Sequence, residues 1–162
     1  MPRPLRAATL ALPLTLAAAA AAQTTGVGFG AGDFDGGAPV EVAANSLAVD
    51  QATGRAELTG NVAIAQGDLR LTAGRVVVDY AAAGGERRIE RMEATGGVVI
   101  VAGEDAAEGR EAVYVPGSGE IVLSGDVVVT QGASTLAGDR LTVNLGTGSG
   151  TVTGRVRTVL QP

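Results

Sequence analysis

The stretch TGNVAIAQGDLRLTAGRVVVDY, residues 59–80, returns 65 positions later as SGDVVVTQGASTLAGDRLTVNL, residues 124–145, with glycines, a Gln-Gly pair and an arginine in matching slots. Its kernel is a tetrad, Thr/Ser-Gly-x-Val, found at Thr59-Gly60-Asn61-Val62, Thr95-Gly96-Gly97-Val98, Ser124-Gly125-Asp126-Val127 and Thr153-Gly154-Arg155-Val156. A near-constant step of this size, roughly 30 residues, means stacked supersecondary units, each too small to bury its apolar face alone. The apolar positions keep pace with the tetrads. Leu58, Ala94, Leu123 and Val152 lie two places before the glycine, and Ile64, Ile100, Val129 and Thr158 four after it. Val76 and Val78 correspond to Ala112 and Tyr114 and to Leu141 and Val143. The step from Gly96 to Gly125, taken backwards from Leu69, Leu71, Val76 and Val78, gives Val40, Val42, Leu47 and Val49. The repeating domain therefore spans residues 40–162 and begins and ends in half a unit.

Within each unit the apolar residues alternate, as in Val62/Ile64, Leu69/Leu71, Val76/Val78/Tyr80 and Val127/Val129. Period two over short Val-rich runs bounded by glycine predicts strands with one buried face. No stretch after residue 40 sustains a helical period, so the domain reads as all-β. The tetrad glycines fall where a strand must turn a corner from one sheet to a facing one. A second change of parity, between Leu71 and Val76, predicts a bulge at Ala73-Gly74 and, by correspondence, at Gly138-Asp139. Gln66-Gly67-Asp68 and Gln131-Gly132 read as hairpin turns. The expectation is about fourteen to sixteen short antiparallel segments, two per sheet in each unit, forming an elongated, twisted sandwich or roll.

Composition then limits the chemistry. Apolar residues make up 46% of the chain but aromatics only 2%, so the interior must be aliphatic. With no His or Cys, and arginine as the only basic residue, the chain lacks the usual nucleophile–base pairs, His or Cys metal ligands and disulfides. An enzyme is not expected, nor a cofactor or metal. Arg3 and Arg6 followed by an apolar run from Ala7 to Ala22 have the layout of a secretory signal peptide, residues 1–22, cleaved after Ala22. The exported chain keeps ten arginines against seventeen acids, a balance that argues against a nucleic-acid partner. Residues 23–39 read as a flexible, glycine-rich leader. Its alternating glycines lack the strand and helix of a dinucleotide loop, and Asp33 and Asp35 lack the remaining ligands of a calcium loop.

An aliphatic interior could be an ordinary core. Two features point further. Small residues recur at inward positions, namely Ala56, Ala73, Ala94, Ala112 and Gly138, so the sandwich need not fill completely and could hold an acyl chain. Half units at both ends leave unpaired strands, which invite strand addition.

The ordered set formed by VEVAANSLAVD (residues 40–50), LTGNVAIAQGDLRLTAGRVVVDY (58–80), ATGGVVI (94–100), EGREAVY (108–114) and IVLSGDVVVTQG (121–132) resembles the periplasmic lipopolysaccharide-transport bridge proteins, the LptA or OstA-like family. The resemblance covers about residues 39 to 160. It implies a slightly open β-jellyroll of roughly sixteen strands in the periplasm. Such a protein carries the lipid A acyl chains of lipopolysaccharide inside and joins head-to-tail with itself and with inner- and outer-membrane transport proteins. By match to the family's interior, ligand contact is expected at Val49, Leu58, Val62, Ile64, Val76, Val78, Met92, Ile100, Tyr114, Leu123, Val127 and Val143. Partner docking is expected at the terminal strands, through Val40, Val42, Leu47, Val152, Val156 and Leu160. The acidic segment GEDAAEG, residues 103–109, breaks the pattern and is expected to be a loop or rim; ERRIER, residues 86–91, is expected to be an exposed turn, the alternative being contact with lipid phosphates through Arg87, Arg88 and Arg91. The alternative reading is a structural β-solenoid or adhesin-type repeat without lipid.

Overall fold

The computed structural model describes residues 24–30, 35, 37–83 and 86–160. The expected signal peptide lies outside the described residues. Eleven strands follow in chain order: β1 (Thr24–Gly28), β2 (Val40–Ala43), β3 (Ser46–Asp50), β4 (Arg55–Gln66), β5 (Leu69–Ala83), β6 (Glu86–Ala102), β7 (Asp105–Val115), β8 (Glu120–Gln131), β9 (Ser134–Asn144), β10 (Ser149–Thr153) and β11 (Arg157–Val159). No helix occurs among the described residues. All strands join one antiparallel sheet of order β1-β10-β9-β8-β7-β6-β5-β4-β2, with β3 also on β4 and β11 also on β9.

The tetrads bend this sheet. Gly60, Gly96, Gly125 and Gly154 have φ between 77° and 85°, and the residue after each is also left-handed: Asn61 (47°), Gly97 (82°), Asp126 (51°) and Arg155 (40°). Two successive left-handed residues make a bulge that only glycine enters freely at its first position. The ladder registers skip there, between Thr59 and Val62 on β4, Thr95 and Val98 on β6, and Ser124 and Val127 on β8. Opposite the bends, β5 skips between Thr72 and Arg75, as the parity change at Ala73-Gly74 predicts. Ion pairs clip two corners from outside: Arg110 to Asp126, and Arg155 to Asp139 at 2.6 Å. Each includes one of the non-glycine αL residues, Asp126 in the first and Arg155 in the second.

Each long strand is thereby split into two arms. β2 with β3 and β10 with β11 are strands of the same kind, interrupted at the bend, so eight bent strands supply sixteen arm segments. The long strands run on through the bends and their ladders resume beyond them, so the expected pair of sheets is a single sheet folded on itself. The inward side chains line up in rows across it. In the first arm one row runs Leu47, Leu58, Val76, Ala94, Ala112, Leu123, Leu141, Val152. In the second arm another runs Val42, Ile64, Leu71, Ile100, Ala107, Val129, Leu136, Thr158. Buried members of both rows belong to one apolar core, which is what folding the arms together achieves. Gly138 belongs to this closure: a Cβ there would lie 2.4 Å from Val152 Cγ1. Two-residue turns at Gly67-Asp68 and Gly132-Ala133 close the hairpins anticipated after Gln66 and Gln131.

Three expectations change. Thr24–Gly28, expected within a flexible leader, is strand β1, and Phe29 beyond it is buried in the core; residues 31–34 and 36 of that leader lie outside the described residues. The acidic segment turns tightly and enters β7, where Ala107 is fully buried while Ala106 and Glu108 face the other side; Asp105, on the same face as Ala107 at the strand's start, is half-buried and accepts the Gly30 N–H. ERRIER opens strand β6 instead of forming a turn.

Candidate functional site

The arms do not fill the space between them uniformly. In the first-arm row the centre is Ala94 opposite Ala112, flanked by Val76 and Leu123. Two methyl groups stand where their neighbours carry three or four carbons, and a cavity of about 540 Å³ opens beneath them. Its walls include Val76, Met92, Ala94, Ala112, Tyr114 and Ile121 from the first arm and Ile64, Leu69, Leu71 and Ile100 from the second. A cavity of that size is in the usual range for small-molecule sites. Burial pushes the Tyr114 phenol above its ordinary value. Arg88, exposed at the start of β6, is the one charged lining residue among those described, and it forms no ion pair with another described residue. Gln66, also on the wall, donates through Nε2 to Ala38 O at 3.1 Å.

Five of the expected ligand positions line this cavity: Ile64, Val76, Met92, Ile100 and Tyr114. Leu58, Val62, Val78, Leu123, Val127 and Val143 are buried in the shared core but do not line it. They face close-packed neighbours, most plainly toward β8 to β10, where Leu123, Val127, Val129, Leu141 and Val152 are all 1% exposed or less. Val49 lies on the outermost strand β3 and is 56% exposed, because no described strand covers that edge. Leu69, Leu71, Ile121 and Leu145 also line the cavity. Alternation marks Leu69 and Leu71 as inward-facing, but nothing in the sequence separates an inward residue on the cavity wall from one in the packed core.

The sheet ends differ. At the N-terminal end every residue of β2 and β3 is exposed, including Val40, Val42 and Leu47. The C-terminal end was expected to be equally open. Instead β1 pairs along β10, and Val152 is fully buried. Val156 is partly buried against the core, while β11 and Leu160 remain exposed.

Fold and site together define a class: a β-jellyroll made from one bent sheet around an aliphatic cavity. Residues 41–149 match the family model described as LptA/(LptD N-terminal domain) LPS transport protein. The chain belongs to this family. It is 31% identical over 133 residues to the uncharacterized protein R00383 of Rhizobium meliloti (strain 1021), covering 76% of this chain and 72% of that protein. The crystal structure of LptH, the LptA homologous periplasmic component of the lipopolysaccharide transport device from Pseudomonas aeruginosa, superposes with a TM-score of 0.68 at 20% identity, covering 79% of this chain and 99% of LptH. That last similarity is one of fold.

Proposed function

We propose that this chain is an exported, periplasmic lipopolysaccharide carrier that covers lipid A acyl chains in the cavity between its arms. It joins head-to-tail, by strand pairing at its sheet edges, to further copies and to inner- and outer-membrane transport components. The observation that carries the reading is the aliphatic cavity opened by the Ala94–Ala112 pair. Leaving a methylene in water costs about 0.8 kcal/mol, so a chain of a dozen carbons gains on the order of 10 kcal/mol from cover before ordering costs. At about 30 Å³ for a water-sized unit, 540 Å³ accepts roughly eighteen methylenes. That is one or two acyl chains at a time. Arg88 beside the cavity suits an anionic head group above an apolar tail. No reaction is required of the protein, since a covered path lets the lipid move without meeting water.

Photocrosslinking in cells tests this. A photoreactive residue at Met92 or Ile100 should give lipopolysaccharide adducts, and one at Leu123 should give few. Absence of adducts at both cavity positions, with the protein folded and exported, refutes lipid carriage and favours a purely structural repeat protein.

A further inference from the structure

The sheet place beyond β10 is occupied by the chain's own N-terminal strand. β1 pairs from Thr24 opposite Thr153 to Gly28 opposite Ser149. The tetrads align Thr153 with Thr59, and on β4 the following strand β5 runs from Arg75 opposite Thr59 to Asp79 opposite Arg55. Direction, length and register are the same. The step from Gly96 to Gly125, taken backwards from β5, gives β3, with Ser46 at the place of Arg75, Leu47 at Val76 and Val49 at Val78. Position by position, then, β1 stands on β10 as a strand like β3 would. Phe29 extends the match: its N–H donates to Gly148 O at 2.9 Å, as Tyr80 does to Gly54 O at 2.8 Å and Leu145 to Gly119 O at 2.9 Å.

The match is incomplete in an informative way. At its two inward positions β1 offers Thr25 and Val27 where β3 offers Leu47 and Val49, which are 62% and 56% exposed. β1 is held instead by contacts at its C-terminal end: Phe29 is 2% exposed, the Gly30 N–H donates to Asp105 Oδ2 at 2.9 Å, and Gln131 Nε2 donates to Gly28 O. It also covers only the first arm. β11, in the second arm, has no strand on its outer side among the described residues.

We infer that β1 with Phe29 is a resident stand-in for the β3 strand of a second copy of this chain, and that head-to-tail joining requires β1 to leave β10. The inference rests on the head-to-tail reading above. A second copy placed in sequence brings its exposed β2–β3 strand antiparallel to β10–β11, keeping the alternation of the sheet, and covers both arms at once. Because β1 competes from within the same chain, at high effective concentration, joining is weak until it is displaced.

The chain has no cysteine, so a staple can be introduced cleanly. Phe29 and Gly148 form a hydrogen-bonded pair, and pair types alternate along the ladder. Gly26 and Thr151 are therefore a close, non-hydrogen-bonded pair on the outer face, suited to a disulfide. In the exported full chain, the Gly26→Cys/Thr151→Cys protein should stay monomeric by light scattering when oxidised and associate when reduced. Phe29→Ala should associate at about ten-fold lower concentration than the unmodified chain, and adding Leu47→Glu should erase that gain. An oxidised staple that associates as readily as its reduced form overturns the inference while leaving head-to-tail joining intact. No association by any variant, at any concentration, overturns both.

Discussion

Replacing Ala112 with leucine adds three carbons to the wall of the cavity at the centre of the Val76, Ala94, Ala112, Leu123 row. If a guest acyl chain occupies that space, about three of its methylenes lose their cover. At about 0.8 kcal/mol each the loss is about 2.4 kcal/mol, roughly a fifty-fold weaker Kd. Calorimetric titration with a fatty acid or lipid A of fixed chain length reads this directly. The unliganded protein should melt at or above its original temperature, because the new side chain fills space that was empty instead of crowding a packed core. Leu123→Ala is the counterpart. It removes a fully buried side chain from the filled part of the interior, costs about 2–5 kcal/mol and lowers Tm on the order of 10 °C, yet should leave affinity nearly unchanged. Unaltered affinity in a well-folded Ala112→Leu protein would refute the assignment of the guest to this cavity. A melting temperature that falls as for an overpacked core would refute the cavity.

Leu47→Glu, on the exposed β3 edge, should change stability by no more than about 0.5 kcal/mol but abolish concentration-dependent association in analytical ultracentrifugation. Gly138→Ala should cost about 1–3 kcal/mol in denaturant unfolding, because its Cβ would meet Val152 Cγ1 at 2.4 Å; Val152→Ala in the same chain should recover part of the loss. Arg75 and Arg155 hold the carboxyls of Glu57 and Asp139 below their ordinary values. The stability these pairs add is present above those ordinary values, 4.5 and 3.8, and is lost as pH falls through the lowered ones. Both pairs are exposed, so the effect is small. A plot of Tm against pH should therefore flatten slightly on the acid side in Arg75→Gln/Arg155→Gln.

The bends were legible because a left-handed pair leaves a chemical mark, glycine first and then Asn, Gly, Asp or Arg, and because alternation changes phase across it. The rows of inward residues followed from period two. Knowledge of neighbours was missing. Val49 and Val78 hold the same slot of the unit, but β5 is covered on both sides and β3 on one, so the first is exposed and the second buried. Val152 differs in the opposite sense: it is covered by β1, whose register sets Thr24 against Thr153 from the far end of the sequence. The segment TTGVGF offers two inward residues and a phenylalanine among glycines, too short a run for periodicity to separate from a linker. Cavity wall and packed core, likewise, use the same aliphatic residues. Only the row geometry, with Ala94 and Ala112 side by side, distinguishes Met92 or Ile100 from Leu123.

Counting each bent strand once, every ladder joins sequence neighbours except that of β1 on β10. A molecule wired this way loses structure like a zipper, from its extremities inward, with each strand protected by those beyond it. Amide protons in β6 to β8 should therefore exchange slowest and those of β2, β3 and β11 fastest, with β10 shielded out of proportion to its place near the chain's end. A single long-range ladder thus makes the two extremities of an otherwise repetitive sheet unequal in how easily they come undone.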